Sequence, residues 1–396
     1  MTVVRRGLGA LCAAVLAVSL VGCTSAGESD HDAEDDHEHE HEHEQQAVPG
    51  SVEDLIRFGI ALPQTGADAV YGSYFTQGFE LALKHINESG GVDGRYIELQ
   101  YEDTQADPAL AVTVAQTLAD DPTILASLGG YGAAAEAGSP VYQEEGLVQI
   151  IVGASSSAVT SPGDYIFATA VSPELEAPRL ADLARTKGTR SAVFVPDTAA
   201  GADAHRFLAD RSAEIGLDEV HESAYPPGAT DFRPLLTSAA AENPDVIVLL
   251  SSAVDGGLLM AQARELGIDV PIVGASSTHA DSFLEQAGTA AEGFEALTYL
   301  SRGSAGQPAL DFLDAFEGRY GFTPSEYAAR AYDALYIAAH VAGEENTRDG
   351  IRNALAEDAD LPSVLYGPTE FSDDRRVTHP EPSVVVVRDA EFMAGE

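Results

Sequence analysis

Cysteine is nearly absent from the 396-residue chain: only Cys12 and Cys23 occur. Cys12 falls inside an N-terminal targeting segment and Cys23 closes it. The mature chain is therefore expected to lack a disulfide, a thiol nucleophile and a thiolate metal site. Positive charge is also scarce. There are 21 Lys and Arg against 64 Asp and Glu, a net charge of -43, and the only lysines are Lys84 and Lys187. No basic patch can neutralise phosphates, which excludes a nucleic-acid partner. The excess of acidic residues fits an arginine-biased proteome or a salt-exposed setting, where high net charge keeps a protein soluble. The apolar stretch Leu8–Val21 is too short to span a bilayer. Catalytic signatures are missing too: there is no Gly-x-Ser-x-Gly elbow, Ser-x-x-Lys pair or P-loop. Gly129-Gly130-Tyr131-Gly132 is not the Gly-x-Gly-x-x-Gly of a dinucleotide site. The chain is not expected to be an enzyme, and no cofactor is expected.

What is present begins with an export signal. Arg5-Arg6 precede the apolar stretch, which ends in Leu20-Val21-Gly22-Cys23. This box resembles the lipobox of bacterial lipoproteins, which implies removal of residues 1–22 and lipidation of Cys23. The protein would then sit at the extracytoplasmic face of the cell membrane, held by its lipid. Residues 23–50 are acidic and of low complexity, with His37, His39, His41 and His43 alternating with glutamates. Such a segment cannot bury enough apolar area to fold and is expected to be a disordered tether, extended by like charges. Its imidazoles could also collect Zn²⁺, Ni²⁺ or Cu²⁺ weakly, giving a metal-associated alternative. A solvated linker is the plainer reading.

From Leu55 onwards strands and helices alternate. Strands are expected at 57–62, 96–102, 124–128 and 147–152, and helices at 72–87, from Asp107-Pro108, and at 133–145. Asp followed by Pro marks a helix start, because Asp caps free N–H groups and Pro lacks one. A second set follows, with strands at 165–170, 191–195, 219–223, 245–250 and 270–273 separated by helices. A strand at 294–300 is expected to return to the first half, followed by helices at 308–320 and 325–343 and a late strand at 383–388. The pattern predicts an α/β chain with two lobes, each a mostly parallel sheet flanked by helices. Lobe 1 would span about 55–172 and 299–365, and lobe 2 about 173–298 and 366–392. Several crossings would form a multi-strand hinge suited to closure around a ligand.

Two strand ends nearly repeat one another. Ile151–Ser157 reads Ile-Val-Gly-Ala-Ser-Ser-Ser, and Ile272–Thr278 reads Ile-Val-Gly-Ala-Ser-Ser-Thr. Ligands of open α/β sheets bind outside the carboxyl ends of the strands. These ends are therefore candidate rims of one cleft. Capping of a following helix would equally account for any one of the serines.

Several pieces in order resemble periplasmic binding proteins of the leucine/isoleucine/valine type. They are Thr65-Gly66, Tyr71-Gly72, Ile86-Asn87, Gly90-Gly91-Val92-Asp93-Gly94, Asp107-Pro108, Gly153-Ala154-Ser155-Ser156, and Tyr225 with Asp231-Phe232. The resemblance implies the type I two-lobed fold of this family. It implies a monomeric protein that captures a small solute, such as an amino acid or amide, and delivers it to an ABC permease, or in some members to a sensor. By position, Gly132, Ala133, Ala154, Ser155 and Ser156 would hold a carboxylate. Tyr71, Gly201 and Ser276 would also line the cleft. The family's acidic partner for the ligand amine falls near Ser276, which is not acidic, and Asp255 or Asp281 could supply a carboxylate instead.

Overall fold

The computed structural model describes residues 55–303, 305–379 and 381–395. In chain order the elements are β1 (Leu55–Leu62), α1 (Ala69–Glu88), β2 (Tyr96–Asp103), α2 (Pro108–Asp120), β3 (Ile124–Tyr131), α3 (Gly132–Glu144), β4 (Val148–Gly153) and β5 (Ile166–Ala168). There follow α4 (Pro173–Lys187), β6 (Arg190–Pro196), α5 (Ala199–Ile215), β7 (Asp218–Tyr225), α6 (Arg233–Ala241), β8 (Val246–Leu249), α7 (Ala253–Glu265), β9 (Ile272–Gly274) and α8 (Asp281–Ala287). The last are β10 (Glu295–Thr298), α9 (Gln307–Tyr320), α10 (Glu326–Glu344), α11 (Arg348–Glu357), β11 (Ser383–Arg388) and β12 (Glu391–Ala394).

The strands form two sheets, ordered β2-β1-β3-β4-β5 and β12-β11-β10-β9-β8-β6-β7. The first is parallel throughout; in the second only the β10-β11-β12 edge is antiparallel. Side chains alternate across a strand, so a strand buried on both faces feeds two cores. Phe58, Ile60 and Leu62 of β1 enter a core with α1 and α10, whereas Ala61 joins α2 and α3 on the other face. In the second sheet Phe194 faces α6, α7 and α8, and Val193 and Val195 face α4 and α5.

Local chemistry sets several boundaries. Asp107 accepts from Ala109 N at 2.7 Å and Leu110 N at 3.0 Å and starts α2, with Pro108 at its first turn. Helix α10 is buried along most of its length and packs closely on α1, where Gly78 allows the approach. A Cβ at Gly78 would lie 2.0 Å from Ala328 O.

Three expectations need correction. The strand at 294–300 does not return to the first sheet. It is β10, hydrogen-bonded between β9 and β11 in the second, and the chain enters the first core only at Tyr299 and Leu300. The last crossing falls later than residue 366: Tyr366, Phe371 and Val377 still pack in the first core, and Arg375 O accepts from Ala168 N of β5. Helices α8 and α11 and strand β12 were not foreseen; α8 is a short element of seven residues.

The edge strand β7 carries an irregularity. Ser191 pairs with Glu219 but Ala192 pairs with His221, so Val220 is an extra residue. A bulge of this kind re-aims side chains. It brings Glu219 and Glu222 to the same histidine, with His205 Nε2 2.9 Å from Glu219 and Nδ1 3.6 Å from Glu222. The hydrogen bond to Glu219 raises the His205 pKa above its ordinary value of about 6.5, against burial, which lowers it.

Two predictions follow from packing and charge. Gly78→Ala should force α1 and α10 apart and lower stability by about 1–3 kcal/mol, read as a shift in denaturant midpoint. Because the folded-state pKa of His205 is raised, its contribution is fully present below the unfolded pKa and is lost as pH rises through the folded value. His205→Gln should therefore cost more stability near about pH 5.5 than near about pH 8.5, measured by thermal melts of both proteins at each pH.

Candidate functional site

The loops after β1, β3, β4 and β5 in the first sheet and after β6, β7, β8 and β9 in the second converge on one cavity of about 480 Å³. That size suits a small molecule. Of the residues expected to line a cleft, Tyr71, Gly132, Ala133, Ala154, Ser155, Gly201 and Ser276 all do so. Both near-repeats reach it, through Ala154-Ser155 on one side and Ala275-Ser276-Ser277 on the other.

Ser156 is the exception and is corrected here. It is 1% exposed and is not among the lining residues. Its hydroxyl donates to Glu136 Oε1 at 2.7 Å, so its polar group is already satisfied. The capping reading fails for Ser155 and Ser156, because no helix follows β4. Ser276 opens a single 3₁₀ turn, and its N–H donates to Glu176 Oε1 at 2.7 Å. Ser277 Oγ donates to Ser251 O at 2.8 Å.

Buried side chains fix the first rim. Arg376 donates to Ser155 O at 2.7 Å and Ser156 O at 3.0 Å. Those carbonyls are thereby occupied and the loop is held in place. Nothing near Arg376 in sequence points to this role; it arises because the segment before β11 runs beside β5. The end of β3 bends at Gly130, which has φ +81° and no room for a side chain: a Cβ would lie 2.9 Å from Ala135 Cβ. The bend delivers Tyr131 to the cavity.

One wall is aromatic. Tyr71 and Tyr131 stack with centroids 5.1 Å apart, and Tyr327 of α10 meets Tyr71 edge-on at 5.3 Å. Burial pushes the Tyr71 phenol up to about 12. Four carboxylates also line the cavity: Asp68, Glu136, Glu176 and Asp255. Asp255 was one of two candidates in the sequence; the other, Asp281, is not a lining residue. Asp68, Glu136 and Glu176 were missed, since single acidic residues near helix starts look like ordinary caps. Burial raises the Asp68 and Asp255 carboxyls above their ordinary range. Arg330 is the basic side chain of the lining and bonds Glu326 at 3.2 Å. Burial raises the Glu326 carboxyl, and Arg330 opposes that rise.

A polar contact joins the two halves beside the cavity. Ser157, after β4, donates from its N–H at 2.8 Å and its hydroxyl at 2.7 Å to Asp203 Oδ2 of α5. Arg206 holds the other Asp203 oxygen at 3.2 Å. Among the described residues, one group of metal-ligating side chains is compact enough for an ion, His205 with Glu219 and Glu222. None of the three lines the cavity, and they pair with one another, His205 with both glutamates. Cys23 and His37, His39, His41 and His43 lie outside the described residues. No described helix is long and apolar enough to cross a membrane.

Two mostly parallel sheets whose carboxyl ends face one cavity define the two-lobed fold of a binding protein. The chain belongs to the periplasmic binding protein family, which it matches over residues 55–390. It is 25% identical over 336 residues to the Leu/Ile/Val-binding protein homolog 3 of Brucella melitensis, covering 82% of this chain and 89% of that one. Among solved structures it resembles the branched-chain amino acid transporter substrate binding protein LivJ of Streptococcus pneumoniae, in complex with isoleucine. The TM-score is 0.79 at 26% identity, covering 86% of this chain and 98% of the other. An ABC transporter substrate-binding protein of Desulfitobacterium hafniense, in complex with Leu, gives a TM-score of 0.73 at 25% identity, covering 86% and 99%.

Removing the contact between the halves should disfavour the closed arrangement without disturbing either core. Asp203→Ala is expected to weaken solute affinity about fivefold, the effect of about 1 kcal/mol, with little change in melting temperature. Calorimetric titration alongside a thermal melt checks both.

Proposed function

We propose that this chain is an extracytoplasmic solute-binding lipoprotein. It captures a small polar solute in the cavity between its sheets and delivers it to the permease of an ABC importer. Amino acids, amides and related compounds are the expected class. The observation that carries this reading is the 480 Å³ cavity at the carboxyl ends of both sheets, in a chain of this family. Strand-to-helix turns there, after β3 above all, present backbone N–H groups suited to a carboxylate or carbonyl oxygen. Relatives and structural neighbours named for branched-chain amino acids support the same class.

Lipidation of Cys23 places the folded part outside the membrane, at the end of the tether. Binding closes the two halves around the ligand, and closure presents a surface for the permease. The halves are linked by segments that cross after β5, after β10 and before β11, an arrangement that can bend as a hinge. No bond is made or broken. The protein contributes desolvation, fixed hydrogen-bond partners and a conformational signal.

A thermal-shift screen over amino acids, amides, amines and short carboxylates tests this reading. A specific solute at 100 times its Kd adds about 2.7 kcal/mol of stability, a rise of several degrees. Ser155→Ala should weaken that solute's binding about tenfold if the hydroxyl contacts it. Cells lacking the protein should lose high-affinity uptake of the same solute, and Cys23→Ser should fail to restore it fully. Normal uptake without the protein would reject the transport role.

A further inference from the structure

The charge in the cavity is unbalanced, and the imbalance bears on the ligand. Asp68, Glu136, Glu176 and Asp255 line it, whereas its single basic side chain, Arg330, is already bonded to Glu326. Among the described residues none of the four carboxylates has a salt bridge to Lys or Arg. Glu136 accepts from the Ser156 hydroxyl and Glu176 from Ser276 N, which are neutral donors. A half-buried carboxylate without a cation is costly.

Asp68 and Asp255 come from opposite sheets. Asp68 precedes α1 in the loop after β1, and Asp255 lies in the first turn of α7 after β8. Burial raises the Asp255 carboxyl; Gly228 N–H and the Ser252 hydroxyl oppose this, and Asp68 adds to it. Both carboxylates line the one cavity, whose single basic side chain is paired with Glu326.

Buried polar groups lie beside the same space. Tyr71, only 3% exposed, places its Oη close to Ser252, Val254 and Asp255 with no hydrogen bond of normal geometry. Ser251 Oγ, at 2% exposure, lies close to the Tyr225 phenol behind the lining. Beside them stand the stacked faces of Tyr71 and Tyr131 with Tyr327 edge-on, a wall that attracts cations through the ring quadrupole.

We propose that the solute is an organic cation, an amine or guanidine compound of net positive charge, with a cationic group held between Asp68 and Asp255 against the tyrosine wall. The assignment rests on the cavity being the solute site. A neutral amino acid brings one ammonium and one carboxylate, so the excess of acidic groups would remain uncompensated. A basic amino acid or a simple diamine brings the missing charge. Direct comparison of the two ligands separates these sources, since only the basic amino acid also carries a carboxylate.

Calorimetric titration of the intact protein with arginine, lysine, putrescine, leucine and glutamate tests the charge. At least one of the three cations should bind about tenfold or more tightly than leucine or glutamate, and its affinity should fall as salt is raised. Asp255→Asn should weaken that cation about tenfold. Asp68→Asn, at a less buried position, should do likewise if the first variant folds poorly. Asp281→Asn, outside the lining, should leave affinity unchanged. Tighter binding of arginine or lysine than of putrescine identifies a basic amino acid as the solute class, and the reverse order identifies a diamine. Tighter binding of leucine or glutamate overturns the proposal while leaving solute capture standing. Unchanged cation affinity in folded Asp255→Asn and Asp68→Asn proteins also overturns it. No heat with any probe, together with no shift in the wider thermal screen, removes the solute-binding reading and the proposal with it.

Discussion

Burial of both faces of two parallel sheets is the constraint on which the rest of the structure depends. A parallel strand covered above and below has no free face for chemistry. Only the loops at the strand ends remain, and most of those at the carboxyl ends, though not the one after β4, lead into helix N-termini with unpaired N–H groups. In this chain the two sheets turn those ends towards each other, so the loops after β1, β3, β4 and β5 meet the loops after β6, β7, β8 and β9. The cavity is what two such sheets leave between them.

The cavity is held by groups that do not line it. Arg376 fixes the carbonyls of Ser155 and Ser156 from behind. Glu326 accepts from Tyr299 N at 2.7 Å while it pairs Arg330, so the exit from β10 and the start of α10 are locked together beside the lining. Glu326 is 2% exposed and Arg330 6%. Breaking a pair this deeply buried leaves an uncompensated charge, which costs far more than an exposed pair. Asp203 and Ser157 act differently, since they join the two halves near the surface.

Much of the architecture was legible in the sequence. The β-branched runs ending at Gly153 and Gly274, and the Asp107-Pro108 start of α2, each depend on neighbours a few residues away. Such signals survive without tertiary context. The strand at β10 was recognised but assigned to the wrong sheet, because an apolar run states that a strand is buried and not which neighbours it pairs with. Helix α8 was missed since seven residues give less than two turns of pattern. Seven of the eight expected lining residues reach the cavity, and the eighth, Ser156, faces Glu136 instead. Adjacent serines at a strand end point opposite ways, and only packing decides which one is inside.

The sequence by itself determined the class of fold, the positions where the chain turns, and the small and hydroxyl residues at two strand ends. These follow from local periodicity and turn chemistry. Tertiary structure alone decided the character of the cavity. Asp68 and Asp255 are almost two hundred residues apart, and each reads locally as an ordinary residue near a helix start. Facing each other across the cleft with Tyr71 beside them, they become an unbalanced pair of charges. Charge balance is a property of what lies within a few ångströms in space, and the order of residues along the chain does not record it.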